Sequence, residues 1–415
     1  MRSFVYLPAL LAVVRAQGPA SSLPPDALDV EFLKGVPNPT FTIIPGQLEQ
    51  DVEYNSEEAY AAAASDVVEN PLTVPALASS SDPAASGPTG TPTRRDLVAE
   101  DLARRAACGP EATVSDSYGI DVSSHAAFTA DPKIASIANA APTPAGYFQN
   151  FKNAAGASSA NAYLGYSVLK TGYDVAACAA KCTAKAGCVA FNVFFERAPT
   201  LSPASACPNP PGFAAIKCSL WGVPLDLTTA TNKGQNRAQF RVGIAGSNAY
   251  TSFTVGGPIE GYNPPLRLGQ AALNAPLRDC AGTWSYLGYK LYENQPFDPR
   301  LCATACEAVT AFNAAHPDAV RDATSGVVPQ CGAFGTYIVK RKTTTNQTFV
   351  TGQICAFYTQ GWSSEYAANT GRTDDEGTKY TFEYSYFYSN PTGQPTCSAS
   401  GRRSTPLIRG ATWRE

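Results

Sequence analysis

All twelve cysteines of this chain lie between Cys108 and Cys397. An even number in that spread points to a closed disulfide framework, which forms and persists in an oxidising compartment. The N-terminus reads toward the same destination. Arg2 precedes an apolar stretch from Phe4 to Val14 and small residues surround Ala16, so residues 1–16 are expected to be a secretory signal peptide cut after Ala16. A spanning helix needs about 20 apolar residues, so neither this run nor any later segment is expected to cross a membrane. A metal site is not expected either, because only His125 and His316, far apart in sequence, could join the cysteines as nitrogen ligands.

The cysteines sit in a repeat. Tyr163-Leu164-Gly165-Tyr166 recurs as Tyr286-Leu287-Gly288-Tyr289, and each copy leads to an aspartate four residues before a C-x-x-x-C pair: Asp174, Cys178, Cys182 and then Asp298, Cys302, Cys306. An aspartate there caps a helix by accepting from first-turn amides, and Pro299 suits the first helical position. Cysteines four apart lie on one helix face. Each helix is followed by a cysteine leading into an aromatic strand, Cys188 to Phe195 and Cys331 to Ile338. A second cysteine strand starts at Cys218 or Cys355, and a closing strand covers Gln239 to Ile244 or Tyr380 to Tyr388. The fold class is therefore α+β, each unit being a strand, a capped helix and antiparallel strands.

Ahead of this lies a segment rich in Pro, Ala, Ser and acidic residues. Residues 17–105 read as a disordered, propeptide-like leader. It ends in Arg94-Arg95 and Arg104-Arg105, dibasic pairs where a secretory-pathway protease would cut after Arg95 or Arg105; ordinary exposed arginines are the alternative. The expected organisation is a signal peptide (1–16), the leader (17–105), one unit with an N-terminal extension (106–250), a second unit (251–400) and a polar tail (401–415).

A Y-L-G-Y-like strand, a C-x-x-x-C helix, a C-x-A-F strand and a later cysteine strand together resemble the apple/PAN module, over about residues 146–250 and 261–397. The whole chain is similar to a group of secreted ascomycete proteins. The resemblance implies two tandem modules, each an antiparallel sheet cradling one helix. It also implies the pairs Cys182–Cys188, Cys178–Cys218, Cys306–Cys331 and Cys302–Cys355, and Cys280–Cys397 as a third bridge of the second module. Cys108–Cys207 remains by elimination. The second copy departs from the pattern by a long Ala-rich and polar insertion between Cys306 and Cys331. Apple/PAN modules bind proteins or carbohydrates and are not enzymes by themselves, so the expected partner is a polysaccharide or a cell-surface protein.

No catalytic residue, cofactor or metal is assigned. The net charge of -3 offers no basic face for nucleic acid, and Lys340-Arg341-Lys342 reads as a solvated loop or strand end. Asp374-Asp375-Glu376 is the densest acid cluster, but it stands between Gly371 and Gly377 and reads as a turn. A secreted hydrolase with paired carboxylates and a structural wall component are the rival functions. Tyr380, Phe382, Tyr384, Tyr386 and Tyr388 alternate along one strand and would share a face, either as core or as a stacking platform for sugar rings. Asn346-Gln347-Thr348 is the one good N-glycosylation sequon, in a polar stretch between two strands.

Overall fold

The computed structural model describes residues 13–15, 30–38, 43–72, 107–115 and 118–397. In chain order its N-terminal elements are β1 (Val13–Arg15), α1 (Val30–Lys34), β2 (Glu49–Asp51) and α2 (Ser56–Glu69). Then come α3 (His125–Ala130), α4 (Pro132–Ala140), β3 (Tyr147–Ala154), β4 (Tyr163–Leu169), α5 (Val175–Ala184), β5 (Ala190–Pro199), β6 (Gly212–Trp221), β7 (Asn236–Arg237), β8 (Phe240–Arg241) and β9 (Gly243–Ser252). The C-terminal half holds β10 (Leu266–Gly269), β11 (Tyr286–Glu293), α6 (Pro299–Ala315), α7 (Pro317–Val320), β12 (Ala333–Lys342), β13 (Thr348–Tyr358), β14 (Arg372–Thr373) and β15 (Lys379–Ser389). The expected signal cleavage after Ala16, the processing sites after Arg95 and Arg105, and the tail from residue 401 lie outside the described residues.

The molecule is α+β, with two antiparallel sheets. One runs β2-β4-β6-β5-β9-β3; the other runs β1-β11-β13-β12-β15-β10, with β14 on β15. Their registers repeat position by position. Tyr163 lies opposite Trp221 as Tyr286 lies opposite Tyr358, and the pairing then slips by one residue at Gly165 and at Gly288. These glycines have φ of 109° and 111°, a left-handed region that suits a residue without Cβ. Cys218 lies opposite Val193, and Cys355 opposite Thr336. Phe191 stacks on Tyr250 with ring centroids 5.1 Å apart, and Phe334 on Tyr388 at 5.0 Å.

Local chemistry starts each cysteine helix. Asp174 accepts from the Ala177 amide at 2.9 Å and Asp298 from the Arg300 amide at 2.9 Å, with Pro299 in the first turn of α6. α5 stops after ten residues, shortly before Gly187 at φ 73°. α6 runs to seventeen residues, because the Ala-rich start of the insertion continues the helix through Ala315.

Six disulfides join Cys108–Cys207, Cys178–Cys218, Cys182–Cys188, Cys280–Cys397, Cys302–Cys355 and Cys306–Cys331. Each helix is thereby bonded once to a strand, β6 or β13, and once to the segment that leads into the neighbouring strand, β5 or β12. The α5 cysteines lie in a cluster with Phe191, Val193 and Tyr250. The α6 cysteines lie in another, which continues into Tyr163, Ala190, Trp221 and Ala249 of the first sheet. The two sheets thus present opposite faces to their shared core: the first its side away from α5, the second its side bearing α6.

Two expectations are corrected here. Residues 43–72, within the supposed disordered leader, are folded: β2 extends the first sheet beside β4, and Ala59, Ala63 and Val67 of α2 are buried in the shared core. Alanine at 59 and 63 lets α2 approach α6 closely, and that small-residue face carries little apolar signal in composition. The five alternating aromatics do not share a face. The β12–β15 register shifts between Thr336 and Ile338, and Tyr384 takes a φ of 51°, so one extra residue enters β15. Tyr380 and Phe382 pack in the cluster on the outer face of the second sheet, whereas Tyr386 and Tyr388 pack in the shared core. All four are at most 2 % exposed, so they form no surface platform.

Candidate functional site

The extra residue in β15 opens an edge of the junction between the sheets. There Asp226, Arg267, Gln270, Glu383, Tyr384 and Ser385 line an open groove of about 330 Å³, with Tyr386 behind them. Asp226 comes from the first sheet's side, where it caps a 3-10 turn by accepting from the Thr228 amide at 2.7 Å. The other residues come from β10, its following turn and β15.

Lys340 organises the charge. Strand alternation after Tyr337-Ile338-Val339 points its side chain inward, where it is 6 % exposed; its ammonium pairs with Glu383 at 2.7 Å and with Asp226. Burial pulls the Lys340 ammonium down from its ordinary value, against the pull of Glu383. The basic run expected to be solvated is thus divided. Lys340 is buried, Arg341 donates to the Val36 carbonyl at 3.2 Å, and Lys342 alone is exposed.

The polar groups beside this triad differ in their partners. Tyr384 receives a 3.5 Å hydrogen bond from Asn150 of β3, and burial, with Glu383 adding to it, pushes its phenol up to about 12. Arg267 is exposed, its guanidinium 5.7 Å from the centre of the Tyr386 ring. Gln270 is exposed as well. Ser385 is 2 % exposed, and its hydroxyl has no hydrogen-bond partner among the described residues. A buried hydroxyl left in that state costs about 1–3 kcal/mol.

Two carboxylates therefore share this groove, held by one ammonium. A glycosidase pair needs one carboxyl that carries a proton to the leaving group. A second pocket, beside Glu111, Glu196, Lys217 and Arg237, has only about 30 Å³ of free space, room for about one water. Its acids are also paired, Glu196 with Lys217 at 2.8 Å and Glu111 with Arg237.

The remaining sequence candidates lie apart from the groove. Asp374 closes the β14–β15 turn, accepting from the Glu376 and Thr378 amides at 3.0 and 2.8 Å. His125 opens α3, where burial and then Arg241 and Arg197 hold its imidazole below the usual value. His316 caps the end of α6 and stacks on Phe312 at 4.2 Å. Asn346 is exposed at the tip of the β12–β13 hairpin, with φ 63°. The structure brings together each of the six cysteine pairs named from the sequence, and of the five aromatics it leaves only Tyr384 partly open at the groove. Asp226, Arg267, Gln270 and Lys340 went unread as a site because they come from three separate segments; inward alternation of Lys340 was the one available signal. Among the described residues no helix is long and apolar enough to cross a membrane. Comparison with protein families, with curated proteins and with solved structures returned no match to this chain.

Proposed function

We propose that this chain is a secreted extracellular binding protein, with tandem apple/PAN-like modules that recognise cell-wall polysaccharide at the groove between the sheets. The observation that carries the reading is the groove itself. It sets two carboxylates, an amide and a guanidinium beside the half-buried ring of Tyr384. Sugars need that mixture of directional hydrogen bonds and ring faces. The exposed sequon at Asn346, on a hairpin tip, suits a glycan on a secreted protein.

The test is binding of the secreted protein to insoluble chitin, β-glucan and whole cell wall. Arg267→Ala and Gln270→Ala remove exposed groove side chains, and each is expected to weaken retention at least about fivefold, near 1 kcal/mol. Unchanged retention in both variants, with thermal unfolding also unchanged, places any binding surface elsewhere. The presence of Asp226 and Glu383 in one groove favours hydrolysis as the second reading. Release of reducing ends that disappears in Asp226→Asn and Glu383→Gln would replace binding with catalysis.

A further inference from the structure

The folded segment 43–72 is held to the rest of the molecule by contacts that do not depend on chain continuity. No cysteine precedes Cys108, so no disulfide tethers it. β2 pairs with the edge of β4 from Glu49 opposite Ser167 to Asp51 opposite Gly165. That pairing is extended by the Val52 amide on the Leu164 carbonyl at 3.2 Å and the Val168 amide on the Leu48 carbonyl at 2.7 Å. The approach is close enough that a Cβ on Gly165 would come within 2.1 Å of the Gln50 carbonyl oxygen. From α2, Tyr60 donates to Asp298, the capping residue of α6, at 2.5 Å.

The most specific contact is a buried cation. Lys290 of β11 has a fully buried side chain, and its ammonium meets the Asp66 carboxylate at 2.6 Å, the Asn70 carbonyl at 2.7 Å and the Asp66 carbonyl at 3.4 Å. Every one of these acceptors belongs to the C-terminal end of α2, where the helix dipole also favours a cation. The equivalent place in the first sheet is Ser167, which, like Lys290, lies opposite the strand cysteine of its sheet. Residues 107–397 therefore carry a receptacle matched to 43–72: a strand edge, an apolar trough and a lysine whose counter-charge the segment supplies.

We infer that proteolysis between residues 72 and 107 does not release the N-terminal piece, and that the processed protein is a non-covalent two-chain molecule. Hydrolysis after Arg95 or Arg105 adds water across one peptide bond, leaving a carboxylate on the arginine and an amine on Asp96 or Ala106. None of the contacts above is broken by it. The first chain keeps β2 and α2 in place, and the second chain holds all six disulfides.

The experiment uses the full chain with Arg94, Arg95, Arg104 and Arg105 changed to Gln and a site-specific protease sequence in place of residues 97–102. After complete cleavage, shown on a denaturing gel, the protein is passed over a size-exclusion column at micromolar concentration. Both pieces are expected in one peak at the elution volume of the uncut chain. Separate elution of the N-terminal piece, or its loss with aggregation of the remainder, overturns the inference. The same cut made in an Asp66→Ala chain should release the N-terminal piece at least about tenfold more readily on dilution. Equal retention of the two would remove the Lys290 contact from the account.

Discussion

Asp322 joins the insertion after α6 to the loop that leads into β11. Its carboxylate accepts from the amides of Thr324, Ser325 and Trp284 at 2.8, 2.8 and 3.0 Å and from the Arg278 guanidinium at 2.9 Å. Burial works against this carboxylate, yet the Ser325, Trp284 and Thr324 amides and Arg278 hold it down at about 2, below its ordinary 3.8. A folded-state value below the unfolded one means stability that is present above about pH 4 and lost as pH falls through about 2. Asp322→Asn is therefore expected to cost about 2 kcal/mol at pH 7 and progressively less toward pH 2, read from urea unfolding across that range. A cost independent of pH would mean that the charge on Asp322 contributes nothing. In sequence, Asp322 stands in an insertion with no repeat partner, and nothing there names Trp284 or Arg278 as its neighbours.

At the scale of elements, both closing strands carry the same irregularity. β9 slips against β5 between Val193 and Phe195, with Gly246 at φ 60°, and β15 slips against β12 at the matching place, with Tyr384 at φ 51°. A bulge shifts all later side chains by one face, which is why a strict two-residue period put Tyr380 and Phe382 on the same face as Tyr386 and Tyr388, whereas the structure separates the two pairs. Glycine makes the device inexpensive in β9, where a Cβ on Gly246 would lie 2.6 Å from the Ile134 side chain of α4. Gly246→Ala is expected to destabilise the protein by about 1–3 kcal/mol through strain and overpacking, measured as a lowered midpoint in thermal or urea unfolding. An unchanged midpoint would mean that the β9 bulge relaxes freely. In β15 a tyrosine occupies the left-handed position, and there the bulge opens onto the groove.

The whole molecule is joined by what lies between its sheets. Gly222 accepts from the Phe297 amide at 2.6 Å, and a Cβ on Gly222 would come within 2.8 Å of Pro296. Nearby, α2 fills the space against α6. Removing residues 43–72 would expose the β4 edge and leave Lys290 without its acceptors, and breaking a buried pair from one side costs about 3–5 kcal/mol. A chain lacking residues 17–72 is accordingly expected to unfold at a clearly lower temperature than the full chain in calorimetry. Coincident transitions would restore the reading of that segment as a dispensable leader.

What the sequence determined by itself was local or repeated. Asp174, Asp298 and Pro299 start helices through neighbours two or three residues away, and the twice-used Tyr-Leu-Gly-Tyr and C-x-x-x-C spacings mark matching strand and helix positions without reference to the rest of the chain. The tertiary structure decided everything that depends on residues meeting across long separations. It seated an alanine-faced helix against α6, turned Lys340 inward between Asp226 and Glu383, and divided an alternating row of aromatics between two cores. The physical reason is common to all three. A composition or a period reports what a segment can bury, but the partner that buries it, and the one-residue bulge that chooses its face, are set by packing between segments that are distant in the chain.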